Sequence, residues 1–290
     1  MRVGIDLGGT KIEAIAMDED GGILFRQRTP TPQNGYKAIL DAIASLVSSL
    51  EKSVGIAHTL GVGSPGSISP SGSVMQNSNT KSLNGKNLAV DLREVLKKPV
   101  RVANDADCFT LSEAMDGAGM GFDTVFGVIL GTGIGGGFVA HGQLLNGPNS
   151  LTGEWGHNPL VQSGPDRKCF CGRINCVETW ISGPAIANEY NRIHGATLLA
   201  HDIAASDAPE CVAAIDQFLE RLSAALGAII NSFDPHCIVF GGGLSNIERL
   251  YAELPDLIPN HILPAKCLTK IAKAKYGDSS GVRGAAWLWP

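Results

Sequence analysis

Short apolar runs broken by glycine and polar turns organise the first third of the chain. Val3-Gly4-Ile5-Asp6-Leu7 predicts a strand, Gly8-Gly9-Thr10-Lys11 a turn, and residues 12–17 a returning strand. The alanines at 14 and 16 are weak strand formers, and residues 18–22 read as the next turn. Ile39, Ile43, Leu46, Val47 and Leu50 recur at helical spacing, which predicts a helix over 36–51. A short strand over 59–62 runs into Gly63-Ser64-Pro65-Gly66, and residues 67–85 form a polar loop. Leu92, Val95 and Leu96 mark a short helix that stops before Pro99. A strand over 100–102 then reaches Asn104-Asp105, and a helix is expected over 106–115.

The second part repeats the opening. Residues 125–130 form a strong apolar strand, followed by glycine-rich 131–137, Phe138-Val139-Ala140 and a His141-Gly142 turn. Strand, glycine turn, strand and turn thus occur twice, a pattern of internal duplication. Residues 212–233 carry a wide apolar helical face, ended by Asp234-Pro235. Cys237-Ile238-Val239-Phe240 predicts a buried strand that enters Gly241-Gly242-Gly243, and a helix follows over 245–254. Alternating strands and helices favour an α/β class.

Three glycine turns, at 8–11, 131–137 and 241–243, each follow a strand directly. Glycine lets backbone amides approach phosphate oxygens without a side chain between them. A Walker A loop is absent, because the order here is Gly-Gly-Thr-Lys. A dinucleotide fingerprint needs a helix after the glycines, whereas residues 11–17 read as a strand. The turns are therefore hairpin tips, and facing tips can hold a polyphosphate. Asp6, just before the first tip, can hold magnesium directly or through water, or simply bond nearby amides.

Composition narrows the class. The 290 residues are 44% hydrophobic and 18% charged, which suits one large domain or two smaller ones. A formal net charge of -5 argues against a nucleic-acid footprint. The absence of a run of about 18 apolar residues, and of a signal-peptide pattern, leads to the expectation of a cytoplasmic protein. Seven cysteines read as reduced thiols with a metal-binding subset.

That subset is compact. His157, Cys169, Cys171 and Cys176 lie within twenty residues, bracketed by Glu154 and Glu178. Three thiolates and one imidazole fill a closed tetrahedral zinc site, leaving no open position for zinc hydrolysis. Asp105 at a strand end can enter a cleft as a base, or it can cap the following helix, as can Asp107.

These motifs in this order resemble the ROK family of repressors, open reading frames and sugar kinases: Gly4-Ile5-Asp6-Leu7-Gly8-Gly9-Thr10-Lys11, Asn104-Asp105-Ala106, Leu130 to Gly137, Gly153-Glu154-Trp155-Gly156-His157, the cysteine cluster and Gly241-Gly242-Gly243. The resemblance implies an actin-like, ribonuclease-H-like pair of α/β domains, here expected at 1–117 plus 278–290 and at 118–277. It implies ATP, magnesium, a hexose and a homodimer. Repressors of the family carry an added N-terminal DNA-binding domain. The hairpin beginning at residue 3 leaves no room for one, so a kinase is expected rather than a sugar sensor. Stretches at 65–70, 153–160, 169–172 and 277–290 resemble bacterial ROK fructokinases of the mannokinase type. Fructose is therefore the expected substrate, with N-acetylglucosamine, glucose and mannose as alternatives.

By the same resemblance Asp105 is the general base. Gly66, Asn104, Glu154, His157 and Glu178 bind the sugar, with Asn79 as a weaker candidate. Gly8, Gly9, Thr10, Lys11, Gly131, Thr132, Gly133 and Gly135 cradle phosphates, although Lys11 is as readily a solvated hairpin residue. Gly242 and Gly243 pack near adenosine. Zinc clamps the sugar loop, and His157 offers its second ring nitrogen to the sugar.

Overall fold

A computed structural model describes residues 1–69, 74–78, 80–160, 164–263 and 266–289. Asn79, and Pro70 and Pro290 at the ends of the 65–70 and 277–290 stretches, lie outside the described residues. The strands are β1 (Arg2–Leu7), β2 (Lys11–Met17), β3 (Ile23–Pro30), β4 (Leu60–Ser64), β5 (Ser67–Ile68), β6 (Met75–Gln76), β7 (Val100–Asn104), β8 (Thr124–Leu130), β9 (Ile134–Ala140), β10 (Gln143–Leu144), β11 (Cys237–Gly241) and β12 (Lys270–Lys273). The helices are α1 (Tyr36–Val54), α2 (Leu88–Leu96), α3 (Asp105–Met115), α4 (Glu178–Ile181), α5 (Gly183–His194), α6 (Ala200–Ala204), α7 (Pro209–Phe233), α8 (Arg249–Leu257) and α9 (Ser280–Ala286). None of the described helices is long and apolar enough to cross a membrane.

Two five-stranded sheets carry the fold, in the orders β3-β2-β1-β4-β7 and β10-β9-β8-β11-β12. The pairing repeats step for step. In each sheet the outer strand and the hairpin pair antiparallel, and the two strands beyond the hairpin pair parallel. Leu7 opposes Ile12 in one hairpin and Leu130 opposes Ile134 in the other. The duplication read from the sequence is thus a duplication of topology, with tips at 8–10 and 131–133.

Each sheet has its own core. Ile5, Val62, Ile43 and Leu50 pack around the first, and Phe126, Val128, Leu222 and Phe240 around the second. Between the sheets lie α3 and α9, in contact with one another. α9 packs on β1, β2 and β4, and α3 packs on β8 and β9. A helix covered on several sides has no need of an amphipathic pattern, and α3 buries Ala106, Cys108, Phe109, Thr110, Leu111, Ser112, Glu113 and Ala114. The contact between α3 and α9 runs through backbone. A Cβ on Gly284 would overlap the Cys108 carbonyl oxygen.

The structure revises the sequence reading at several places. β3 appears where no strand was expected, and the 67–85 loop contains the short β5–β6 hairpin. Gly135, Gly136 and Gly137 belong to β9 and not to a turn. Their smallness serves packing. A Cβ on Gly136 would lie 2.8 Å from the Trp155 ring, and one on Gly137 would lie 2.6 Å from Thr110 Oγ1. The tail forms helix α9, which an apolar, glycine- and alanine-rich stretch did not reveal.

Candidate active site

α3 begins at the end of β7, and its first turn carries the site. Asn104 is the N-cap: its Oδ1 accepts from Ala106 N at 2.7 Å, and its Nδ2 donates to the Gly66 carbonyl at 2.7 Å. Neither Asp105 nor Asp107 is therefore needed as the cap. Gly66 turns the chain between β4 and β5 at φ +90°, where a Cβ would lie 2.6 Å from the Gln76 oxygen. The tie from Asn104 to Gly66 fixes that turn beside Asp105.

Asp105 lines two cavities. The first, about 850 Å³, is lined by Asp6, Gly8, Gly9, Gly241, Gly242, Gly243 and the 273–277 segment. The second, about 930 Å³, is lined by Gly66, Asn104, Glu154, His157, Glu178, Gly131, Thr132, Gly133 and Gly135. The first hairpin tip therefore opens on one cavity and the second tip on the other. Thr10 and Lys11 line neither cavity. Lys11 pulls the Asp6 pKa down, against larger effects that raise it.

Carboxyl groups crowd this junction. The Asp105 carboxyl is open to the cavities but ringed by protein, and poor solvation raises its pKa despite the backbone hydrogen bond from Ala106. Desolvation, then the charges of Asp105 and Glu13, push Asp6 up to about 6. Asp107, next to Glu154 and Asp105, is pushed up to about 7, mainly by desolvation. Glu154 is raised by desolvation and by Asp105 and Glu178, and His157 opposes the shift. Such a cluster suits a cation and hydroxyl donors. Glu178 opens α4, and its Oε2 accepts from Ile134 N at 3.0 Å, joining the second hairpin tip to the wall of the second cavity.

Below Glu154 the chain folds into a knuckle. His157 Nδ1 lies 3.5 Å from Cys169 Sγ, and Cys171 Sγ lies 3.6 Å from Cys176 Sγ. One ligand atom from each of the four residues lies within 4.8 Å of the others. Tetrahedral zinc, with bonds of about 2.3 Å to sulfur and 2.0 Å to nitrogen, sets S···S near ~3.8 Å and S···N near ~3.6 Å. The donor set and its spacing fit that ion.

The ROK family model matches residues 2–290. The chain belongs to the ROK family. Among ROK proteins, an N-acetyl-D-glucosamine kinase of Yersinia pseudotuberculosis is 40% identical, with 99% of this chain and 98% of that protein covered. The ROK hexokinase of Thermus thermophilus superposes with a TM-score of 0.90 at 27% identity, covering 99% and 96% of the two chains. A ROK glucokinase of Streptomyces griseus, in complex with glucose and AMPPNP, superposes with a TM-score of 0.78 at 26% identity, covering 99% and 98%. The fold is thus the actin-like two-domain fold of ROK sugar kinases. The expectation of fructose finds no support in the names of these relatives.

Two features around the cavities were not singled out in the sequence. Asp107 read only as a possible cap, although its position two residues after Asp105 in one helical turn was a usable signal. The 273–277 segment, which walls the first cavity, carried no motif.

Proposed function

We propose that the protein is an ATP-dependent sugar kinase that transfers the γ-phosphate to the 6-hydroxyl of N-acetyl-D-glucosamine. The observation that carries this reading is the position of Asp105, in the wall shared by a glycine-lined cavity and a carboxylate-lined one. Phosphoryl transfer requires the two substrates to meet at the base. The sugar assignment is supported by the 40% identical relative over nearly the whole of both chains.

In this reading Gly8 and Gly9 present backbone amides to phosphate oxygens, and Gly242 and Gly243 leave room for the nucleoside. Asp6 would hold magnesium, which supplies neutralising charge on the phosphates. Glu154, His157 and Glu178 hold sugar hydroxyls, and Glu178 uses Oε1 because Oε2 is engaged by Ile134. Asp105 accepts the proton of the attacking hydroxyl, and its raised pKa makes it a better acceptor than an ordinary aspartate. His157, Cys169, Cys171 and Cys176 would hold zinc as a structural clamp, with His157 Nε2 left for the sugar. The halves 1–117 with 278–290 and 118–277 act as domains that close on the cleft, and the enzyme works as a homodimer.

A coupled ADP-release assay with MgATP against N-acetylglucosamine, glucose, mannose and fructose tests the proposal. The highest kcat/KM is expected for N-acetylglucosamine. A clear preference for another sugar replaces the substrate and keeps the mechanism. Absence of turnover with every sugar, in zinc-loaded protein that binds them, overturns the kinase reading in favour of a sensor.

A further inference from the structure

Glu113 lies eight residues along α3 from Asp105 and is fully buried. Its carboxylate is held entirely by N–H and O–H donors. Oε2 accepts from Ala118 N at 2.9 Å and Lys275 N at 3.0 Å, and Oε1 accepts from Tyr276 N at 3.3 Å and Ser280 Oγ at 2.7 Å. Three of these four donors belong to the segment that leads from β12 into α9. Lys275, Tyr276 and Gly277 of that segment, with Gly281 one residue beyond Ser280, wall the first cavity. Gly117 leaves space for the carboxylate, since a Cβ there would overlap Glu113 Oε2. Asp116 supports the same segment, its carbonyl accepting from Lys275 Nζ at 3.1 Å and Tyr276 OH at 2.9 Å.

We propose that Glu113 is a positioning residue for the nucleotide: it fixes backbone 275–276 and the start of α9 in the shape the first cavity requires. The inference rests on the assignment of that cavity to ATP. Glu113 touches no substrate. It acts through the backbone amides of Lys275 and Tyr276, which in an irregular segment have no strand partner to hold them. A glutamine at 113 keeps the volume but turns one acceptor into a donor, so it opposes an N–H at whichever position the new amide nitrogen takes. Among the described residues no hydrogen bond joins Glu154, His157 or Glu178, on the wall of the second cavity, to this network.

Calorimetric titration of a non-hydrolysable ATP analogue with magnesium, and separately of N-acetylglucosamine, into wild type, Glu113→Gln and Ser280→Ala tests the proposal. The analogue Kd is expected to rise about tenfold in Glu113→Gln and about threefold in Ser280→Ala, with the sugar Kd within about twofold of wild type. Unchanged analogue affinity in Glu113→Gln, or equal loss of both ligands, overturns it. If Glu113→Gln does not fold, Ser280→Ala decides, and unchanged analogue affinity there overturns the proposal. Failure of the wild type to bind the analogue would instead refute the assignment of the cavity.

Discussion

Asn104 donates its side-chain amide to the carbonyl of Gly66 at 2.7 Å while its oxygen caps α3 through Ala106. One side chain thus joins the helix that carries Asp105 to the β4–β5 turn. Asn104→Asp keeps the cap and removes the donor, and Asn104→Ala removes both. The aspartate variant is expected to hold its melting temperature near wild type while kcat/KM for the sugar falls at least tenfold. The alanine variant should also lose about 1 kcal/mol of stability from the lost cap. Equal thermal loss in both would show that the cap and the tie are not separable.

Asp105→Asn should lower kcat by a factor of about 10² to 10⁴ with the sugar Kd little changed. A general base acts when deprotonated, and the Asp105 pKa is raised by poor solvation. In wild type kcat should therefore climb with pH through a limb above the ordinary aspartate value of about 4. A pH–rate profile whose acid limb lies at or below that value would exclude Asp105 as the base.

Asp107 places a carboxyl oxygen, Oδ1, in the interior with no hydrogen-bond partner among the described residues. Burial pushes its pKa up from the ordinary 3.8 to about 7. Between these values the folded protein binds more protons than the unfolded chain, so stability falls as pH rises through this window. Asp107→Asn should consequently stabilise the ligand-free protein by about 1–3 kcal/mol at pH 8, after allowance for water in the cleft. The gain should fade to nothing below about pH 4, where the wild-type group is protonated in both states. Denaturant titrations across pH 4 to 8 measure this, and a gain that is constant with pH would assign the effect to packing.

The knuckle geometry predicts one zinc per chain by elemental analysis. Cys176→Ser should reduce zinc content, lower the melting temperature, and, on the proposed assignment of the cavities, raise the KM for the sugar more than that for ATP, because His157 lines the second cavity and not the first. Full zinc occupancy in this variant would remove Cys176 from the ligand set.

Much of the frame was legible because it rests on local pattern. The hairpins at 8–10 and 131–133 follow from apolar strands broken by glycine, and the cysteine spacing announced the knuckle. β3 escaped because its residues are exposed or only partly covered and include Arg26 and Arg28, which pair with Glu13 of β2. Such an edge strand shows no apolar alternation. Gly135 to Gly137 misled because a glycine run looks the same whether it turns or admits Trp155 and Thr110. The expectation of fructose rests on short stretches near the site, whereas the 40% identity along the full chain is to an N-acetyl-D-glucosamine kinase. A few side chains set sugar preference, and their identity is not visible in strand and turn patterns.

Gly284 meets the Cys108 carbonyl where α9 crosses α3, main chain against main chain. A side chain at 284 would press on the α3 main chain, so glycine there sets how closely the two helices approach. The β1-β2-β4 layer under α9 and the β8-β9 layer under α3 are thereby held at a spacing that only a residue without a Cβ permits, and any larger residue at 284 would wedge them apart.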